Sequence, residues 1–160
     1  MDATPLKIEP QNAFQILSGL LDEDVAATEA LLTERAASPV SVIPNLSGYI
    51  VSAGGKRLRP LITLAAAKAC GAEKMEPVHC LAAAVEFIHT ATLLHDDVVD
   101  ESDLRRGKPA AKNVWGNSAS ILVGDFLFAR AFTLMVETGR LPVLDILSNA
   151  SSVIAEGEVH

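Results

Sequence analysis

The sequence predicts an all-α protein, and three observations carry that prediction. Of the 160 residues 49% are hydrophobic but only 4% aromatic, so Ala, Leu and other aliphatic side chains supply the packing. Such residues favour helices, and no segment shows the alternation of a confident strand. The apolar stretches are of helical length, with prolines near their starts and glycines near their ends. A chain of this size supports one domain that buries roughly two-thirds of its unfolded surface.

Taken in order, residues 1–10 form a proline-flanked, poorly ordered lead. A helix is expected over 12–36, broken near Gly19 and stopped before Pro39. A second runs over 44–52, with Pro44 in its first turn, and ends at Gly54-Gly55. A third spans 60–71 and takes Gly71 as its C-terminal cap. A fourth, over 77–101, contains the most apolar run, 81–94, which only Glu86 and His89 interrupt. Residues 104–112 read as a loop punctuated by Gly107 and Pro109. A fifth helix covers 118–138 and stops at Gly139. A sixth starts near Pro142 and meets no stop signal except Gly157. There is no internal repeat or low-complexity tract.

Composition excludes several functions. The formal net charge of −7 argues against a general nucleic-acid surface. The first residues lack a basic segment followed by an apolar core, so no signal peptide is expected. No run reaches about 18 uninterrupted apolar residues, so no membrane span is expected. Cys70 and Cys80 fall in helical contexts and read as reduced, buried thiols of a cytoplasmic protein.

The chemistry concentrates where the fourth helix ends, in Asp96-Asp97-Val98-Val99-Asp100-Glu101-Ser102-Asp103-Leu104-Arg105-Arg106. Residues four apart on a helix are neighbours, so Asp96 and Asp100 share a face. Asp97 lies about 100° round, and Asp103 joins the row if the helix persists. Carboxylates this close repel, and so do acids at a helix C-terminus, where the macrodipole is negative. A hard cation removes that cost. Mg²⁺ takes one or two carboxylates, keeps waters and accepts phosphate oxygens, which suits D-D-x-x-D; an EF-hand needs a loop with a central glycine.

Two basic clusters complement the acids. Gly54-Gly55-Lys56-Arg57-Leu58-Arg59-Pro60 places three cations at a helix start, an end that itself attracts anions. The P-loop spacing is absent. Arg105-Arg106-Gly107-Lys108 follows the acids; its arginines either fork onto phosphate or neutralise Asp100 and Asp103. His89 lies seven residues before Asp96, two helical turns away.

Together, Gly54–Pro60, His89, Leu94-His95-Asp96-Asp97-Val98-Val99-Asp100 and Asp103-Leu104-Arg105-Arg106-Gly107-Lys108-Pro109 closely resemble the trans-isoprenyl diphosphate synthases, or polyprenyl synthetases. The stretch from Gly124 to Phe132 and Glu156-Gly157-Glu158 are similar too. The resemblance implies an isoprenoid-synthase-type antiparallel helical bundle around a central cavity, usually a homodimer. It implies a prenyltransferase that joins an allylic diphosphate to isopentenyl diphosphate with Mg²⁺. Asp96 and Asp100 would hold the metal, with Asp97 supporting. Arg105 would bind the allylic diphosphate. Lys56, Arg59, His89 and Arg106 would bind isopentenyl diphosphate. The family carries a second aspartate-rich motif on a later helix, and these 160 residues contain none. The expectation is therefore an N-terminal portion, residues 1–160, of a single truncated polyprenyl synthetase domain, with weak activity at most on its own.

Product length in this family responds to bulk just before the first aspartate motif. Ala91 and Thr92 are small, as in long-chain synthases, which points to a product of ubiquinone side-chain length. Phe87 and Phe132 are candidate floors of the cavity. On an ideal wheel Thr92 lies near the Asp96 face, whereas Ala91 lies about 140° away. The alternatives are a short-chain farnesyl or geranylgeranyl diphosphate synthase, a terpene cyclase and a non-catalytic partner subunit. A cyclase has no use for the second diphosphate pocket, and a silent partner has none for paired acids and arginines.

Overall fold

The computed structural model describes residues 10–52 and 57–159. Among these the architecture is all-α apart from one minimal hairpin. The helices are α1 (Pro10–Leu20), α2 (Asp22–Arg35), α3 (Val42–Ser52), α4 (Leu58–Ala69), α5 (Glu76–Val99), α6 (Ala111–Trp115), α7 (Asn117–Glu137) and α8 (Leu141–Val159). Strands β1 (Leu104–Arg105) and β2 (Lys108–Pro109) pair antiparallel between α5 and α6. The lead 1–9 and residues 53–56, which include Gly54, Gly55 and Lys56, lie outside the described residues.

The central unit is α5 against α7, the most extensive helix–helix interface. Ala83, Ala84 and Ala91 on α5 and Ala131 on α7 are wholly buried, so these helices approach closely. The pair runs antiparallel: His95 near the end of α5 meets Ile121 near the start of α7. Phe87, Leu94, Leu127, Leu134 and Met135 fill the main core, with Leu32 of α2 and Leu46 of α3 closing it. A smaller core around Leu61, Leu64 and Val78 joins α4 to the start of α5. Ion pairs tie the outer helices down. Arg35 at the end of α2 forks onto Glu137 at 2.6 and 2.9 Å. Asp24 of α2 meets Lys68 of α4 and His79 of α5, which hold its carboxyl below the usual range.

Several expectations shift. The break foreseen near Gly19 falls at Leu21, which leaves the helix and packs into the smaller core at 3% exposure. The fourth helix stops at Val99 rather than Glu101, and the loop over 104–112 contains the hairpin and α6. Its turn residues, Arg106 (φ 52°) and Gly107 (φ 78°), both adopt positive φ, as a two-residue type I′ turn requires. Two-residue strands leave no alternation to read, which is why the pattern gave a loop. Cys70 is exposed and Cys80 partly buried, so the expected pair of buried thiols is corrected; burial raises the pKa of Cys80. Helices α5 and α7 are long and apolar enough to cross a membrane by length and composition, and here they pack on each other.

Candidate active site

The last turns of α5 organise the site, because successive side chains there face three environments. Thr92, His95, Asp96 and Val99 line a half-open cavity of about 420 Å³, bordered by Asp125 and Phe128 of α7 and by Ile154, Ala155 and Val159 of α8. Glu86, His89, Thr90 and Leu93 line a narrow cleft on the other flank, with Ile50 and Val51 of α3, Arg57, Arg105 and Arg106. Asp97 turns inward and is 1% exposed. By helix periodicity Asp96 and Asp100 stand on the ridge between cavity and cleft. The order across the helix is thus apolar cavity, acidic ridge, basic cleft.

Each cation of the cleft has a distinct setting. Arg57, just before α4, donates to Glu86 at 3.1 Å, to Glu29 of α2 at 3.3 Å and to the Val51 carbonyl at 3.2 Å. It therefore serves as a strut among four helices. Glu86 is 7% exposed, so its charge needs that partner. Arg105 forks onto Asp97: Nε lies 2.8 and 3.0 Å from the two oxygens, and Nη2 lies 2.8 Å from Oδ1. Arg105 therefore pairs with Asp97 rather than with Asp100 or Asp103, and that hydrogen-bonded pairing raises its pKa. Asp103 leaves the acidic row because the helix ends before it; its main-chain and side-chain oxygens accept from Asn113.

His89 sits where the arginines converge. Burial first, then the charges of Arg59, Arg106 and Arg105, push its pKa down to about 4. It is neutral at ordinary pH and offers one ring N–H and one lone pair. The structure thus brings His89, Arg59, Arg105 and Arg106 into one electrostatic field.

The two candidate gate residues part company. Thr92 lines the cavity below Asp96. Ala91 is wholly buried in the α5–α7 core. Phe87 is also corrected as a floor, because it lines a separate cavity of about 280 Å³ between α2 and α3. Phe128 lines the larger cavity, and the Phe132 ring lies 5.3 Å from it between centroids.

Sequence reasoning passed over Glu86, although a lone acid inside an apolar helix signals a buried partner. It also passed over His95 and Asp125 at the cavity mouth, where the His95 Nε2 lies 3.2 Å from the Ile121 carbonyl and 3.4 Å from Asp125. Gly124 makes that seat: a Cβ there would meet the His95 ring, with Cδ2 at 2.7 Å. A glycine inside a helix costs about 1 kcal/mol against Ala, which was the available signal.

The Polyprenyl synthetase family model matches residues 40–160. The chain belongs to the polyprenyl synthetase family. It is 54% identical over 143 residues to octaprenyl diphosphate synthase of Escherichia coli K12, covering 89% of this chain and 44% of that one. A crystal structure of polyprenyl synthase from Caulobacter crescentus CB15, complexed with calcium and isoprenyl diphosphate, matches with a TM-score of 0.89 and 59% identity over 91% of this chain and 44% of that one. A decaprenyl diphosphate synthase from Rhodobacter capsulatus matches with a TM-score of 0.86 and 54% identity, over 91% and 45%. The chain spans less than half the length of these polyprenyl synthases.

Proposed function

We propose that the full-length protein is a Mg²⁺-dependent trans-prenyltransferase that condenses an allylic diphosphate with isopentenyl diphosphate to a long-chain all-trans polyprenyl diphosphate. It works in the cytoplasm as a homodimer, and these 160 residues alone turn over weakly at most. The supporting observation is the acidic ridge of α5 between a basic cleft and an apolar cavity. Both halves of an isoprenoid diphosphate, its charged head and its hydrocarbon tail, find matching chemistry within one helix diameter.

The donor set fits a hard cation that binds phosphate. Asp96 and Asp100 are two carboxylates on one face, and among the described residues no group of three or more His, Cys, Asp or Glu forms a closed cage. Two protein oxygens with room for water and phosphate are what Mg²⁺ prefers. Asp96 and Asp100 would hold it, and the bound ion would neutralise charge on the departing diphosphate. Arg105 gathers the allylic diphosphate and favours its departure, because guanidinium charge meets the oxygens as negative charge builds. Arg59, Arg106 and Lys56 hold isopentenyl diphosphate, and neutral His89 donates one N–H to it. Ile88, Thr92, Phe128 and Ile154 surround the growing tail and keep water from the allylic cation. The isopentenyl double bond attacks that cation, and the released diphosphate takes up the proton whose loss restores the alkene.

Long products are favoured by the small Thr92 on the cavity wall and by the octaprenyl, nonaprenyl and decaprenyl synthases among the relatives. The test is incorporation of labelled isopentenyl diphosphate by the full-length protein, with the product sized by mass spectrometry. Asp96→Ala should lower kcat/KM by about 10²-fold or more. A terpene cyclase would incorporate no label, and a silent partner subunit would lose less than about tenfold.

A further inference from the structure

Two walls of the basic cleft beside α5 come from distant parts of the chain. One is α3, which brings Ile50 and Val51; the other is the hairpin, which brings Arg105 and Arg106. The hairpin cannot place itself. Each strand has two residues, and an isolated two-stranded hairpin is marginal in water at best. Arg106 and Gly107 form its tip, both at positive φ, so Arg106 stands wherever the strands are held. The first strand is held from α5: the Ser102 N–H donates to the Asp97 carbonyl at 3.1 Å, and Arg105 forks onto the Asp97 carboxylate. The second strand is held from the opposite wall. There the Tyr49 hydroxyl of α3 donates to the Pro109 carbonyl at 2.8 Å, across 60 residues of chain. Trp115 of α6 braces the Tyr49 ring edge-on, with centroids 4.9 Å apart. Asn113 of the same short helix donates to the Asp103 carbonyl at 3.0 Å, and the Ala110 N–H donates to that oxygen at 2.8 Å. Helix α6 thus grips the base of the hairpin and backs the side chain that grips its exit.

We propose that Tyr49 is a positioning residue whose hydroxyl clasps the hairpin to α3, joins the two walls of the cleft and sets where Arg106 stands. Tyr49 acts through the hairpin rather than on the diphosphate. Tyrosine suits the task, because a stiff ring packs its apolar edge on Trp115 while its polar tip spans to the far wall. Phenylalanine would keep the packing and lose the clasp. Arg105 has an anchor of its own in Asp97, so the clasp bears first on the tip and Arg106. That the anion at Arg106 is isopentenyl diphosphate rests on the prenyl-transfer reading; the clasp itself does not.

The experiment uses the full-length protein. Tyr49→Phe should raise KM for isopentenyl diphosphate about fivefold, the equivalent of one neutral hydrogen bond. KM for the allylic diphosphate and kcat should stay within about twofold. Affinity for inorganic diphosphate, measured by calorimetry without a metal, should fall about fivefold as well. With Arg106→Ala already in place, adding Tyr49→Phe should change that affinity less than about twofold, since the two act as a unit. Amide hydrogen exchange should quicken over residues 104–110 and stay as in the wild type in α5 and α7. The same diphosphate affinity in Tyr49→Phe and the wild type overturns the proposal, as does full additivity with Arg106→Ala. Faster exchange throughout the protein, or loss of the fold, also overturns it, because the hydroxyl would then serve stability at large. If the wild type binds inorganic diphosphate but incorporates no isopentenyl diphosphate, the prenyl-transfer reading fails, while the calorimetry and the exchange still judge Tyr49.

Discussion

The two flanks of α5 face different solvents. Towards α7 and α8 the helix presents Ile88, Thr92 and Val99 to a cavity walled largely by carbon. Towards α3 and the hairpin it presents Glu86, His89 and Asp97 to arginines. Both buried acids on the ionic flank, Glu86 and Asp97, carry a guanidinium. A single helix can thus carry an apolar wall on one flank and charge on the other, with each buried acid of the charged flank paired to an arginine. Size should govern what the cavity flank does, and charge what the cleft flank does.

The strongest way to break that contrast is to strand a charge in the cleft. Arg57→Met leaves the buried Glu86 without its partner and should cost about 3–5 kcal/mol in urea unfolding of the full-length protein. Arg57→Met with Glu86→Met should recover most of that loss. Equal losses for the single and double variants would mean that the strut matters as packing rather than as charge.

On the cavity flank bulk replaces charge as the probe. Thr92→Phe projects a ring into open volume and should shorten the products with little change in stability. Ala91→Phe inserts the same ring into a packed core, so any shortening should come with a loss of about 1–3 kcal/mol. Mass spectrometry of the products beside thermal unfolding separates the two. Unchanged lengths in both variants would remove this cavity from chain-length control.

The pH dependence sharpens the cleft side. The pKa of His89 is pushed from 6.5 in the unfolded chain to about 4 in the folded one. The unfolded state therefore binds a proton first as pH falls. The stability tied to neutral His89 is complete above about pH 6.5 and is lost as pH drops through about 4. His89→Gln should flatten the stability profile between pH 6.5 and 4.5 and leave it unchanged above pH 7.5. Inorganic diphosphate should raise the pKa of His89, by offsetting the arginine charges; an NMR titration checks both.

The smallest effect concerns how α5 ends. Helix α4 closes with Gly71 (φ 78°): the Gly71 N–H reaches the Lys68 carbonyl and the Ala72 N–H the Ala67 carbonyl, both at 3.0 Å. Helix α5 closes with the same pair of bonds, from Glu101 to Val98 at 3.4 Å and from Ser102 to Asp97 at 3.1 Å, but with Glu101 at φ 53°. A side chain in that conformation costs about 1–2 kcal/mol, partly offset by the lower unfolded-state entropy of a non-glycine residue. Glu101→Gly should therefore stabilise by about 0.5–1 kcal/mol in urea unfolding. A destabilisation instead would give the Glu101 side chain a role of its own.

Sequence alone determined the helical class, the place of α4, α5, α7 and α8 to within a few residues, and the residue types of the site, since periodicity, prolines and glycines act locally. It also brought Asp96 and Asp100 onto one face, because that follows from four residues per near-turn. Lys56 lies outside the described residues, so its part in the cleft remains a proposal. What only the tertiary structure decided is which buried charge answers which. Arg105 could have paired with Asp100, Asp103 or phosphate by sequence, and it forks onto Asp97 because the chain turns back where it leaves α5, with the Ser102 N–H bonded to the Asp97 carbonyl. Arg57 became a strut because α2, α3 and α5 converge on it. Thr92 met the cavity and Ala91 the core because α7 packs closely on the Ala91 side of α5, while α8, which packs on α7, faces Thr92 across a hollow. Residues far apart in the chain contribute to each of these, and no window of local sequence contains the distances that select among them.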